Sequence, residues 1–175
     1  AVSDVAENAP PVITQGAGPL AFTVAEDSGV TALLNPGNKL WDKRFGGGAA
    51  DICNKVLATS DGGYLLVGYS KSESQGDRSE SSRGGGRDYW IVKTDDSGNK
   101  LWDKRFGGSG EDYCNDVIAT TDGGYLLAGQ SNSNADGDKS EAGRGDNDFW
   151  AVKINASGAK VWDKRFGGSS NDYCY

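Results

Sequence analysis

The chain has no histidine and no methionine in 175 residues, four prolines and three cysteines. Without histidine there is no side chain whose ordinary pKa lies near neutrality and could serve as a base there. Nucleophile-elbow and P-loop signatures are also missing, and the glycine-rich stretches separate strand-like runs instead of joining a strand to a helix. An enzyme is therefore not expected. No apolar run approaches the roughly 20 residues that a membrane-spanning helix needs. Lysine and arginine total 18 against 25 acids, a net charge of −7, and the basic residues alternate with acidic ones. A phosphate backbone calls for clustered cations on one face, so a nucleic-acid partner is not expected either. With no CxxC pair and no imidazole, a thiolate metal site is disfavoured. The missing methionine and the opening AVSDVAENAPPV fit a mature product after leader removal, or a piece of a longer precursor. Either origin fits a secreted protein.

What the chain has in quantity is glycine, 27 residues, and internal repetition. WDKRFGG occurs three times, beginning at Trp41, Trp102 and Trp162, 61 and then 60 residues apart. Such a period belongs to repeat architectures. The match extends further: DICNKVLATSDGGYLLVGYS lies over DYCNDVIATTDGGYLLAGQS, and GRDYWIVKTDDSGNKLW over DNDFWAVKINASGAKVW. Four segments follow: an N-terminal arm or linker over residues 1–37, repeat one over 38–98, repeat two over 99–158, and the start of a third over 159–175.

Within a repeat, aromatic and β-branched runs (DYWIVKT, DFWAVKIN) lead through DDSG or NASG turns into KLWDKRF or KVWDKRF. A second hairpin joins CNKVLATS to YLLVGYS, or CNDVIATT to YLLAGQS, through Asp-Gly-Gly. The fold class that results is all-β, with four antiparallel strands per unit. YLLVG and YLLAG are apolar on successive residues, hence on both faces, so neighbouring sheets are expected to pack face to face.

Small antiparallel sheets stacked in this way are propeller-like blades. The WDKRFGG, DGGYLL and DYWIVK or DFWAVK elements resemble the roughly 60-residue propeller-type tandem repeats of large secreted surface proteins of Bacteroidetes-like bacteria, and echo kelch and quinoprotein-type repeats. The resemblance covers residues 38–175. It implies blades incomplete within this chain, secretion of the type IX kind, and an adhesive or filament-forming surface role. NAPPVIT followed by TVAEDS resembles the junctions of cadherin-like or immunoglobulin-like repeats. There, residues 21–25 are either part of a linker or an edge strand donated to a neighbouring subunit.

Trp41, Trp102, Trp162, Phe45, Phe106, Phe166, Trp90 and Trp150 are expected to form the repeated core. The Asp-Lys-Arg of the heptapeptide is read as a ladder of surface ion pairs above the buried Trp and Phe. Cys53, Cys114 and Cys174 fall one per unit. Equivalent positions in adjacent sheets are about 10 Å apart, too far for a disulfide, so they are small buried residues or cross-links to other chains. Asn132, Asn134, Asp136 and Asp138 alternate around Gly137, a spacing that suits either a calcium loop or a solvated turn. No other cofactor is expected. Partners would be further repeats or copies of the chain, with cell-surface glycans or proteins as ligands. The function expected is an extracellular structural or adhesive module assembling into a fibre or scaffold. A carbohydrate-binding or hydrolase-associated propeller is the alternative.

Overall fold

A computed structural model of the chain describes residues 39–173. The expected strand at residues 21–25 and Cys174 lie outside the described residues. The described part is all-β, with no helix among the described residues and two antiparallel sheets, neither closed into a barrel. Sheet one is ordered β1 (Asp51–Ala58), β2 (Tyr64–Ser70), β3 (Asp88–Thr94) and β4 (Lys100–Phe106). Sheet two repeats it with β5 (Asp112–Ala119), β6 (Tyr125–Ser131), β7 (Asp148–Ile154) and β8 (Lys160–Phe166). These are propeller-like blades, incomplete in number.

Each sheet runs straight up and down because its turns leave little choice. At the β1–β2 turn Gly62 takes φ 85°, with Thr59 and Gly63 bonded backbone to backbone across it at 2.9 Å. Asp61 accepts from the Gly63 N–H and from Lys93 Nζ, tying the turn to β3. Sheet two does the same with Asp122, Gly124 and Lys153. The register slips by one residue at Asn54 in β1 and again at Asn115 in β5, so the same bulge recurs at the same place. A second slip recurs between β3 and β4 and between β7 and β8. Both outer strands of each sheet are thus irregular, a feature that discourages unwanted edge pairing.

The sheets pack face to face, as the doubly apolar β2 and β6 require. Leu65, Val67, Tyr89 and Ile91 point from sheet one onto Cys114, Val117, Leu127, Trp150 and Val152 of sheet two, forming one core between the two. The opposite faces are only partly covered: Trp90 and Val92 on that side of sheet one are buried, at 6% and 2% exposed, but β1 is not. Val56 is 53% exposed whereas its counterpart Val117 is 2% exposed, and Ile118, Trp162 and Phe166 are exposed on the far side of sheet two.

Those burials correct the expected core. Trp90, Trp150 and Phe106 are buried, but Trp41, Trp162 and Phe166 are exposed, and Phe45 and Trp102 are intermediate. The reason is directional. Each heptapeptide tryptophan lies over the hairpin turn of the following sheet: a Cβ on Gly158 would stand 2.9 Å from the Trp102 ring, and one on Gly98 would stand 2.8 Å from the Trp41 ring. Trp162 has no described sheet to cover. Residues 41–45 lie outside both sheets, in the place relative to sheet one that β4 holds relative to sheet two. The sheets therefore begin after a heptapeptide and end on one, out of phase with a unit drawn from residue 38.

Candidate functional site

The heptapeptide is repeated because nearly every residue in it is held. In β4, Asp103 accepts hydrogen bonds from the Trp90 indole at 3.1 Å, the Ser79 N–H at 2.9 Å and Lys100 Nζ at 2.9 Å. Asp163 repeats this with Trp150, Ser140 and Lys160. Burial works against both carboxylates, yet these donors hold them below the usual range. Arg105, buried along its length, reaches Glu80 at 3.1 Å and Asp138 at 3.4 Å. The expected ladder of surface ion pairs is thus overturned: Asp103 and Arg105 are buried, and the aspartate binds within its own sheet because the indole N–H needs an acceptor there. The two glycines are steric necessities. A Cβ on Gly107 would lie 2.0 Å from Asp88 Oδ1, and one on Gly108 would lie 2.1 Å from Asp136 Oδ1.

The long polar loop after β6 clasps the Gly-Gly segment that links the sheets. Asp138 accepts from the Gly107 N–H while its own N–H donates to the Gly107 carbonyl at 2.9 Å. Asp136 accepts from the Ser109 N–H at 2.8 Å and hydroxyl at 2.6 Å, and Asn132 Oδ1 from the Glu111 N–H at 2.6 Å. Asn134 enters through its backbone carbonyl, bonded by the Asp136 N–H at 2.8 Å. The side-chain oxygens of Asn132, Asp136 and Asp138 are therefore directed at protein donors rather than at a common centre. Among the described residues no cluster of three or more His, Cys, Asp or Glu side chains is placed to hold a metal ion. Asp77 reproduces the clasp on Gly46 in the first unit.

Sequence reasoning did not single out Asp88, Asp112 and Asp148, which open β3, β5 and β7. All three are fully buried. Asp88 accepts from the Arg83 N–H at 2.7 Å, and Asp148 from the Arg144 N–H at 2.7 Å. Asp112 accepts from the Gly108 N–H at 2.9 Å and the Ser133 hydroxyl at 2.8 Å. Burial pushes Asp88 up to about 7, aided by the charge of Asp112. Asp112 is raised for the same first reason. The signal available for Asp88 and Asp148 was that this aspartate precedes the aromatic pair in both copies, where a solvent-facing acid has no cause to recur.

The feature with the form of a receptor lies on the open face of sheet one. At the interface between the sheets, Tyr89 enters a slot over Gly129. Its hydroxyl donates to the Trp150 carbonyl at 2.8 Å, and its ring centre lies 4.9 Å from that of Trp150. A Cβ on Gly129 would come within 2.6 Å of the Tyr89 oxygen, so the glycine makes the room. The equivalent slot over Gly68 is a cavity of ≈ 200 Å³ lined by Phe45, Cys53, Leu66, Gly68, Trp90 and Val92. Cys53, on its rim, is exposed, and Cys114, its counterpart in the filled slot, is buried in the core. Of the described cysteines expected to cross-link, only Cys53 is accessible, because sheet one covers Cys114.

A second hollow, wide and polar, runs between β1 and β2 of sheet one and β5 and β6 of sheet two. Asn54, Tyr69, Tyr113, Asn115, Gln130 and Tyr173 line about 450 Å³ of space there. Tyr69 stands edge-on to Tyr113 at 4.8 Å, and the Asn54 amide donates to the Cys114 carbonyl at 2.8 Å.

No protein-family model matches the chain, and no curated protein is significantly similar to it.

Proposed function

We propose that the chain is a section of a secreted bacterial surface protein, acting as a structural or adhesive module within a longer stack of like sheets. The observation that carries this reading is a pair of incompletely covered sheet faces, with Ile52 and Val56 exposed on sheet one and Phe149, Trp162 and Phe166 on sheet two. Sheet one offers an empty slot whose twin is filled one interface away, and sheet two exposes the aromatic and aliphatic side chains that would fill such a slot. Isolated apolar sheet faces of this kind ordinarily mark an interaction surface. The near-identity of the two units supports the same reading, since a periodic scaffold requires each unit to make the same contacts, whereas a single catalytic site singles out one unit. The test is the mass and shape of the native particle, by light scattering and then electron imaging without reductant. Extended or ring-symmetric particles support a scaffold, and a compact single-chain particle overturns it.

The tyrosine-lined hollow favours a second reading, a carbohydrate-binding stack. Aromatic faces beside amide groups suit sugar rings, which offer C–H surfaces and paired hydroxyls. A glycan screen with Tyr69→Ala and Tyr113→Ala as controls tests it. Binding lost in both variants supports the reading, and no binding by the intact chain removes it.

A further inference from the structure

The described residues hold two four-stranded sheets and three WDKRFGG heptapeptides, so one heptapeptide is surplus to those sheets. Residues 162–166 fall in β8 and residues 102–106 in β4, which leaves residues 41–47. They rest on sheet one, Trp41 lying over Gly98 and donating its indole N–H to the Asp96 carbonyl at 3.0 Å. They cover part of that face, and the slot over Gly68 stays unfilled beside them.

We propose that the slot receives Phe149 from a second copy of this chain, the two copies stacking head to tail with β8 of the incoming copy taking the place of residues 41–47. This rests on the reading of the chain as a stacking module. The template is the interface inside the chain, transferred position by position. Tyr89, fully buried over Gly129, corresponds to Phe149, which is 38% exposed on the far face of sheet two. Trp102 over Gly158 corresponds to Trp162 over Gly98, where Trp41 now sits. Because residues 41–47 and 162–168 are identical, the incoming heptapeptide can remake what it displaces. The displaced copy is the less committed of the two: β8 is paired along β7, whereas residues 41–45 belong to no sheet.

Charge selects this occupant over an unrelated apolar partner. Inside the chain Lys55 of sheet one meets Asp116 of sheet two at 3.0 Å. Lys55 and Asp116 occupy the same position in their units, so the same transfer brings Asp116 of the incoming copy toward Lys55 of the receiving one, opposite in charge. Arg105 meets Asp138 inside the chain at 3.4 Å, and the same transfer sets Arg165 of the incoming copy toward Asp77. A head-to-tail contact is heterologous, so it propagates into a ring or a filament instead of closing as a pair.

The experiment is sedimentation velocity of the full chain from micromolar to millimolar, with Cys53 alkylation followed by mass spectrometry on the same samples. A Cys174→Ser background leaves Cys53 as the accessible described thiol. The expected result is concentration-dependent growth beyond dimer, with Cys53 protected at least tenfold in the assembled fraction. Phe149→Asp should abolish growth while the chain stays folded, its melting temperature lowered by only a few degrees. Trp41→Ala should lower the concentration for growth by at least threefold, since it loosens the heptapeptide that must leave. Lys55→Asp should raise the concentration for growth several-fold, and Lys55→Asp with Asp116→Lys should restore it. Growth that persists in folded Phe149→Asp, or a chain that stays monomeric at millimolar concentration with and without Trp41→Ala, overturns the proposal. In the monomeric case, extended native particles would still uphold the wider reading of a stack, built then from sheets of another chain segment.

Discussion

Tyr89 and Phe149 occupy one position of the repeat in opposite surroundings, and truncating each to alanine measures what the interface between the sheets is worth. Tyr89 is 0% exposed, packs its ring against Trp150 at 4.9 Å and donates its hydroxyl at 2.8 Å, whereas Phe149 is 38% exposed. Tyr89→Ala leaves a cavity between two sheets that cannot close far, since the strands on both sides are held by their own ladders. Removing a large buried aromatic in such a setting costs about 3–5 kcal/mol. Tyr89→Phe removes only the hydroxyl and leaves the Trp150 carbonyl without that donor, a loss of about 1 kcal/mol. Phe149→Ala gives up partial burial and opens no enclosed cavity, so about 1 kcal/mol is expected. For a chain of this length each kcal/mol moves the melting temperature by about 2–4 °C, which puts Tyr89→Ala about 6–20 °C below the parent and the other two within about 4 °C. The assay is thermal unfolding followed by near-ultraviolet circular dichroism at low micromolar concentration. Equal shifts for Tyr89→Ala and Phe149→Ala would refute the argument, because they would mean that the slot over Gly129 is not the point where the sheets are joined.

Three further predictions rest on other sites. Asp88 has its pKa raised to about 7 by burial, so the native state binds more protons than the unfolded chain below that value. Its contribution is full below the unfolded pKa and is lost as pH rises through about 7, so Asp88→Asn should flatten the fall in urea-unfolding stability between pH 4.5 and 8, and unchanged slopes would count against it. Gly129→Ala places a Cβ 1.9 Å from the Tyr113 carbonyl and should cost more than about 4 kcal/mol, whereas Gly123→Ala, at φ 78° in open space, should cost about 1–2 kcal/mol; similar melting temperatures would refute the steric reading. Cys53 should react with a thiol reagent in the native state while Cys114 reacts only on unfolding; its thiol pKa is raised by burial, so the test belongs above pH 8, and equal rates would mean that the sheets part readily.

Strand number, order and turns were legible because Gly, Asp and the aromatic runs act within a few residues of each other along the chain. Face-to-face packing was legible for the same reason, in YLLVG and YLLAG. The fate of the heptapeptide was not. Its aspartate reads as a surface charge until the indole of Trp90, 13 residues earlier, is brought beside it. Trp41, Trp102 and Trp162 are indistinguishable in sequence, and their burial depends on whether a following sheet lies beneath and a preceding one alongside. Asn132, Asp136 and Asp138 carry the alternation of a cation loop, and only the position of the Gly107–Glu111 segment shows that its backbone amides take those oxygens. The slot over Gly68 was invisible to patterning altogether, since a glycine within a strand reads as a weakness until something is seen to enter above it.

The alternation of Lys55 and Asp116 bears on how such a chain can change its length over evolutionary time. Contacts between sheets recur position for position, so gene segments encoding whole units can be gained or lost without any new contact being invented. Duplicating one unit, however, would bring lysine against lysine or aspartate against aspartate, a penalty under about 1 kcal/mol at an exposed site but repeated at each such event. Duplicating two units together preserves the alternation. In the proposed stack, this one pair would favour gain or loss of about 120 residues at a time, twice the 60-residue spacing of the heptapeptides.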